Sequence, residues 1–342
     1  MKRFILEGVV IISSTIKDIA KYTGLSLGTI SKYINGGTVK EKNRKLLEDA
    51  ITQLDFKVNE LARGLKTSKS MTIGVLIPEI NNVFSMNIIS NIENTLLQNG
   101  YSTIICDFRN DAQLENEKLN FLINKMVDGI IIMPLHITSE DLSRIKIPFV
   151  LVDRAINNVG CDTVLVDNLG ASYNAVEHLI NCGHKRIGII CGNKKIYTAS
   201  ERLKGYISAF DDYKLTIDQD LIKYGSYDLQ SGYDLLIELI NINNPPTAVF
   251  VTNYEMTLGC IIAINEKGIK IPDELSIIGF DNLEMARIVN PPLSIVAQPT
   301  EEIGKMAAEI ILKRLKGDMQ DFPQLIKLKT DLKIKKSVKR VL

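Results

Sequence analysis

Polar residues of the kind that hold a small polyhydroxylated molecule stand close behind apolar runs along much of this chain. Asn81 and Asn82 come just after IGVLIP, Asp153 and Arg154 after FVLV, Asn253 after AVFVT, and Asp281 after IIGF. Carboxylates accept hydroxyl protons, amides donate and accept, and a guanidinium donates in a fixed fork, so such a set suits hydrogen bonding to a sugar. Asp153 and Asp281 also form a formal acid and base pair. Nothing in the sequence desolvates one of them, however, as proton transfer near neutrality requires. Taken singly, each is equally well a helix cap or a surface ion pair. Their recurrence at strand ends is what joins them, since open parallel sheets bind ligands outside the carboxyl ends of their strands.

The runs themselves fix the scaffold. MTIGVLIP, YSTIICD, DGIIIMP and PFVLVD, then RIGIIC, TAVFVTN and LSIIGFD, are almost wholly apolar, as parallel strands covered on both faces must be. Between them the spacing predicts helices near 84–99, 113–126, 170–182, 199–212 and 256–267. This is an α/β body of two doubly wound parallel-sheet lobes, which would enclose a cleft where their strand ends face one another. Neither nucleotide-binding glycine fingerprint occurs, and His136, His178 and His184 form no metal or triad motif. No catalytic residue, metal or cofactor is expected, and the protein reads as a non-enzyme. Five scattered cysteines form no C-x-x-C pair, which fits a reducing cytoplasm.

Ahead of the body lies a different pattern, the all-α segment TIKDIAKYTGLSLGTISKYIN from Thr15 to Asn35. Ala20 allows two helices to cross closely, Gly24 can take the left-handed turn, and Ser26 is placed to cap the second helix. Ile16, Ile19, Ala20, Leu25, Ile30 and Ile34 would face inward. Leu27, Gly28, Ser31 and Lys32 are left on an outward face at the start of the second helix, where a helix-turn-helix reads base edges. A third helix is expected at about 40–54, with Leu46, Leu47, Ala50, Ile51 and Leu54 at helical spacing and Lys40, Lys42, Arg44 and Lys45 near its start. Residues 1–70 hold thirteen lysines and arginines against seven aspartates and glutamates, a net +6, so the other 272 carry −5 to reach the whole-chain +1. The basic charge lies where phosphates would.

NELARGLKT, residues 59–67, is too short and too glycine-interrupted to hold a helix alone in water. Leu61, Ala62 and Leu65 have no evident core to join, which suits insertion into a minor groove.

In TIKDIA, GTISKYIN, NELARGLK, DGIIIMP, VLVDR, AVEHLINCGHKRIG, SERLKGY, SIIGFDN and NPPLSIVAQP, the chain resembles the lactose-repressor/galactose-repressor (LacI/GalR) family from Thr15 almost to its end. That resemblance implies a sequence-specific DNA-binding transcriptional regulator of the repressor type, homodimeric, with a body like the periplasmic binding proteins. Its partners would be a near-palindromic double-stranded operator and a small-molecule effector, a sugar or sugar derivative, held between the lobes. Leu27, Gly28 and Lys32 fall where the family reads bases, Thr29, Ser31 and Asn35 where it holds phosphates, and Leu65 where it wedges the minor groove. For the effector the resemblance carries over Asp153, Arg202, Asn253 and Asp281 as hydrogen-bonding groups, with Phe84 and Tyr227 as aromatic walls. The chain departs from the family's usual residues with Gly28, which has no side chain, with Lys32 for Arg, with Val58 for Pro, and with Tyr254 after Asn253.

The domain boundaries expected are an N-terminal extension at 1–14, a headpiece at 15–58, a hinge helix and linker at 59–70, and the body at 71–342. Lobe one takes 71–166 and 298–324, and lobe two 167–297 and 325–342. MKRFILEGVVIISS is similar to a signal peptide in its charges, but Glu7 interrupts a short apolar run and no small-residue cleavage site follows. A nonfamily extension or a misplaced start codon is the expectation, with no membrane span and a cytoplasmic location. The alternative from another class is a transport-type sugar-binding receptor without DNA function, and Thr15 to Asn35 discriminates against it.

Overall fold

A computed structural model describes residues 4–6, 9–11, 14–34, 36–56, 69–281 and 284–341. They fall into two units, Met1–Ser70 and Met71–Leu342.

In the first unit, strands β1 (Phe4–Leu6) and β2 (Val9–Ile11) pair antiparallel ahead of three helices. Helix α1 (Ile16–Thr23) starts at Thr15 because a reciprocal cap satisfies two orphan amides. The Thr15 hydroxyl accepts from Asp18 N at 3.3 Å, and the Asp18 carboxylate accepts from Thr15 N at 2.9 Å. The helix stops at Gly24, whose φ of 69° lets its amide donate to the Ala20 carbonyl. Ser26 Oγ then accepts from Thr29 N at 3.2 Å and opens α2 (Leu27–Ile34). After α3 (Glu41–Gln53), Asp55 turns left-handed and Phe56 N donates to the Ile51 carbonyl, folding the Phe56 ring onto the core. Ile19, Ile30, Leu47 and Ala50 are fully buried at its centre.

Two residues expected inside lie outside. Ile16 is 37% exposed because it opens α1, where no neighbouring turn covers it, and Leu46 is 36% exposed because successive helical residues diverge by 100° and Leu47 takes the inward place.

The second unit runs β3 (Thr72–Ile77), α4 (Val83–Gln98), β4 (Ser102–Asp107), α5 (Ala112–Asn124), β5 (Gly129–Ile132), the short α6 (Ser139–Ser143), β6 (Phe149–Val152) and β7 (Asp162–Val166). It continues with α7 (Asn168–Asn181), β8 (Ile187–Cys191), α8 (Tyr197–Asp212), β9 (Ile222–Tyr224), α9 (Leu229–Ile240), β10 (Ala248–Val251), α10 (Tyr254–Lys267), β11 (Ser276–Phe280) and α11 (Met285–Ile288). Last come β12 (Ser294–Ala297), α12 (Thr300–Leu315), β13 (Leu325–Leu328) and β14 (Asp331–Lys333). One sheet has the order β13-β7-β6-β5-β3-β4 and is parallel throughout. The other has the order β14-β12-β11-β10-β8-β9, with only β14 antiparallel.

Helices cover both faces of each sheet, so every residue of β5, β7, β8, β10, β11 and β12 is buried. The chain passes between the sheets after β7, after β12 and after β13. The last passage corrects the expected boundary: β13 lies beside β7, Leu325 opposite Thr163 through Leu328 opposite Val166, so the first lobe extends to 328 rather than 324. A buried bidentate pair ties its pieces together, Arg314 Nε and Nη2 donating to Asp162 at 2.7 and 2.9 Å. Among the described residues no helix is long and apolar enough to cross a membrane.

Candidate functional site

Strand ends of the two sheets meet around a cavity of about 630 Å³. Phe84, Asp153, Arg202, Tyr227, Asn253 and Asp281 all line it, as do Asn82 and Arg154, whereas Asn81 does not.

Two aspartates reach the cavity from left-handed backbone. Asp153 follows β6 with φ 71° and Asp281 follows β11 with φ 82°, a conformation that Asp adopts more readily than most residues. Burial pushes the Asp281 carboxyl above the ordinary carboxylate range, against the pull of Arg202 and of a hydrogen bond from Gln298, and Asp153 adds to the upward push. Gln298 stands just past β12 on the second passage between lobes, its Nε2 donating to Asp281 while its buried Oε1 has no partner among the described residues.

Arg202, on α8, is 4% exposed. Nε donates to Asn168 Oδ1 at 2.7 Å, Nη1 donates to the Thr252 carbonyl at 2.5 Å, and the guanidinium lies 3.8 Å from the Phe280 ring centroid. A planar fork stacked on an aromatic face is an arrangement that lysine cannot reproduce. Arg154 Nη1 donates to the Pro134 carbonyl at 2.8 Å, and its Nε lies 3.4 Å from Asp153.

The second lobe supplies an aromatic wall. Tyr227 has φ 65°, its hydroxyl is buried beside Thr198, and burial raises its pKa. Its ring lies against Gly192, where an added Cβ would come within 2.2 Å of a ring carbon, so only glycine admits the ring there. Asn253 does two jobs. Its Oδ1 caps α10 by accepting from Met256 N at 3.1 Å, and its Nδ2 points to the Tyr227 carbonyl at 3.4 Å.

Sequence reasoning passed over Met133, Leu135, His136, Asn193, Thr198 and Gln298 on this lining. Five of them stand just after β5, β8 or β12, so the strand-end rule applied to every strand would have found them. Thr198 had no such signal. His178 and His184 lie off the cavity, His184 buried between Thr247 Oγ1 and the Lys339 carbonyl.

On the first unit, Leu27 is 49% exposed, Gly28 and Lys32 are exposed, and Thr29 and Ser31 are half-buried on α2. Arg44 is exposed, but Glu48 engages its Nε at 2.9 Å. Asn35, Leu65 and the 59–66 hinge lie outside the described residues.

Residues 15–59 match the family model described as bacterial regulatory proteins, lacI family, and residues 176–338 match that of the periplasmic binding protein-like domain. The chain is 33% identical over 333 residues to the HTH-type transcriptional repressor PurR of Actinobacillus pleuropneumoniae serotype 3 (strain JL03), covering 96% of this chain and 99% of the relative. A LacI family transcriptional regulator from Enterococcus faecium solved with bound ribose is 29% identical, with a TM-score of 0.71 over 79% of this chain and 100% of that one. The lac repressor dimer, solved bound to operator and the anti-inducer ONPF, is 24% identical and superposes with a TM-score of 0.86 over 96% of this chain and 100% of that one, a likeness of fold.

Proposed function

The chain belongs to the LacI family of bacterial regulatory proteins, and from that premise we propose that it is a cytoplasmic transcriptional repressor governed by a sugar or sugar derivative. The observation that carries this reading is the pairing, on one chain, of a helix-turn-helix with an open reading face and a polar cavity at the strand ends of two sheets.

On the DNA side, α2 enters the major groove. Leu27 supplies apolar contact of the sort a thymine methyl accepts, Gly28 permits close approach, and Lys32 reaches a guanine edge as a point charge. Thr29, Ser31 and Asn35 hold phosphates, Leu65 enters the minor groove, and the net +6 of the first seventy residues adds counterion release to the affinity. A homodimer presents two such heads, so the operator is near-palindromic.

On the effector side, hydroxyls of the ligand bridge Asp153 in one lobe to Asp281 and Arg202 in the other, with Asn253 alongside and Phe84 and Tyr227 against the ring faces. A ligand with contacts in both lobes favours one lobe arrangement over the other. A differential of about 3 kcal/mol shifts that equilibrium more than a hundredfold.

The test has two arms. Selection from a random duplex pool with the full-length protein should return a salt-sensitive, two-fold symmetric site. Melting scans against D-ribose, its 5-phosphate and a panel of hexoses should show one that raises the melting temperature and changes operator affinity. Binding without sequence preference, or a complete lack of response to the panel, would refute the corresponding half.

A further inference from the structure

Glu115 is fully buried on α5, and all three of its described hydrogen bonds are to backbone amides. Its Oε1 accepts from Leu135 N at 2.9 Å, and its Oε2 accepts from His136 N at 2.7 Å and Ile137 N at 3.2 Å. These are three consecutive residues of the loop that follows β5, and Met133, Leu135 and His136 from that loop line the cavity. The same loop gives the Pro134 carbonyl to Arg154, which faces Asp153.

The second lobe shows why a carboxylate is needed here. There, β10 passes at once into α10, and Asn253 caps the helix from its own chain position. In the first lobe the corresponding helix α6 begins only at Ser139, capped by Thr138, so the amides of 135–137 find no partner in a helix turn or strand. Buried backbone amides require an acceptor, and Glu115 reaches in from a neighbouring helix to provide one. A single ionised carboxylate can serve three donors at once because each oxygen offers two lone pairs.

We propose that Glu115 is a positioning residue for effector binding: it never touches the ligand, but sets the height of the 133–137 wall and, through Pro134, the aim of Arg154 at Asp153. Glutamine has nearly the same shape but replaces one acceptor oxygen with an NH2 that meets a backbone donor, so the loop must shift. The proposal rests on the cavity being the effector site.

The experiment uses full-length protein carrying Glu115→Gln, with amide exchange, calorimetric titration of D-ribose and operator affinity measured in sugar-free buffer. Exchange should rise at 135–137 and stay unchanged in β3 and α12, ribose affinity should fall about tenfold, and operator affinity should stay within about twofold. A cycle with Arg154→Lys should be non-additive in ribose affinity, because both changes act through Pro134. Unchanged protection of 135–137, exchange raised throughout the body, or additive effects in the cycle would overturn the proposal. If the wild type takes up no ribose, the choice of sugar fails, and the exchange pattern alone then decides for or against Glu115 as the anchor of the wall. If Glu115→Gln fails to fold, Leu135→Pro, which deletes one of the three amides, replaces it with the same expectations.

Discussion

Asp153 and Asp281 occupy the same station in the two lobes. Each follows the strand third from the outer edge of its sheet, each has a left-handed backbone, and each donates its amide to the next strand, to Val164 at 3.0 Å and Val296 at 2.7 Å. The two carboxylates are therefore related by the internal repeat of the body. Burial and Asp153 both raise Asp281, so holding that carboxylate ionised in the cavity carries an electrostatic cost.

That cost has a definite pH signature. A carboxyl raised in the folded state destabilises as pH climbs from the ordinary carboxylate range through the raised value, and costs nothing below both. Asp281→Asn should thus melt higher than the wild type at neutral pH without effector, with the gap closing as the solution is acidified below pH ~4. Effector affinity should meanwhile fall about tenfold or more, as expected when a charged hydrogen-bond acceptor is lost. Melting curves that stay parallel at all pH values would contradict the account of Asp281.

Arg202→Ala should abolish the effector response and leave operator binding intact. The change strands Asn168 Oδ1 and the Thr252 carbonyl and uncovers Phe280, at a cost to the body of about 2–4 kcal/mol. Arg202→Lys restores the charge without the fork and should recover only a small part of the response. Gel-shift titration with and without effector reads both, and lost DNA binding with a normal response would reverse the assignment.

Gly192→Ala tests the aromatic wall. The new Cβ would stand 2.2 Å from the Tyr227 ring, so the ring must leave its place against residue 192. Effector affinity is expected to drop about tenfold, while operator binding without effector is unaffected. An unaltered titration would remove Tyr227 from the site.

The headpiece offers two opposed substitutions. Ile30→Ala empties the centre of a small core and should cost about 2–5 kcal/mol, abolishing operator binding but not sugar binding. Gly28→Ala meets nothing closer than Ser26 Oγ at 3.9 Å and should stabilise α2 by about 0.5–1 kcal/mol. Because the added methyl sits on the reading face, the selected operator should change at one position in each half-site. An identical site recovered from both proteins would show that Gly28 does not face bases.

Much of this was legible in the chain because the signals are local. The Gly24 and Ser26 punctuation, the apolar strand runs and the polar residues behind four of the strands all act within a few positions. Leu325 to Leu328 was assigned to the wrong lobe because LIKL is a short edge strand with alternating exposure, and nothing in it names the partner sheet. Glu115 was invisible for a related reason. Its partners lie 20–22 residues away, and no periodicity reports on a carboxylate serving the loop of another element.

The position of β13 also governs how the molecule can be made. Its strand and the Arg314 to Asp162 clasp come from the far end of the chain, yet they complete the lobe that starts at residue 71. A growing polypeptide therefore cannot finish its first half until nearly all of its second half has left the ribosome, and no cut between the lobes yields two self-sufficient fragments.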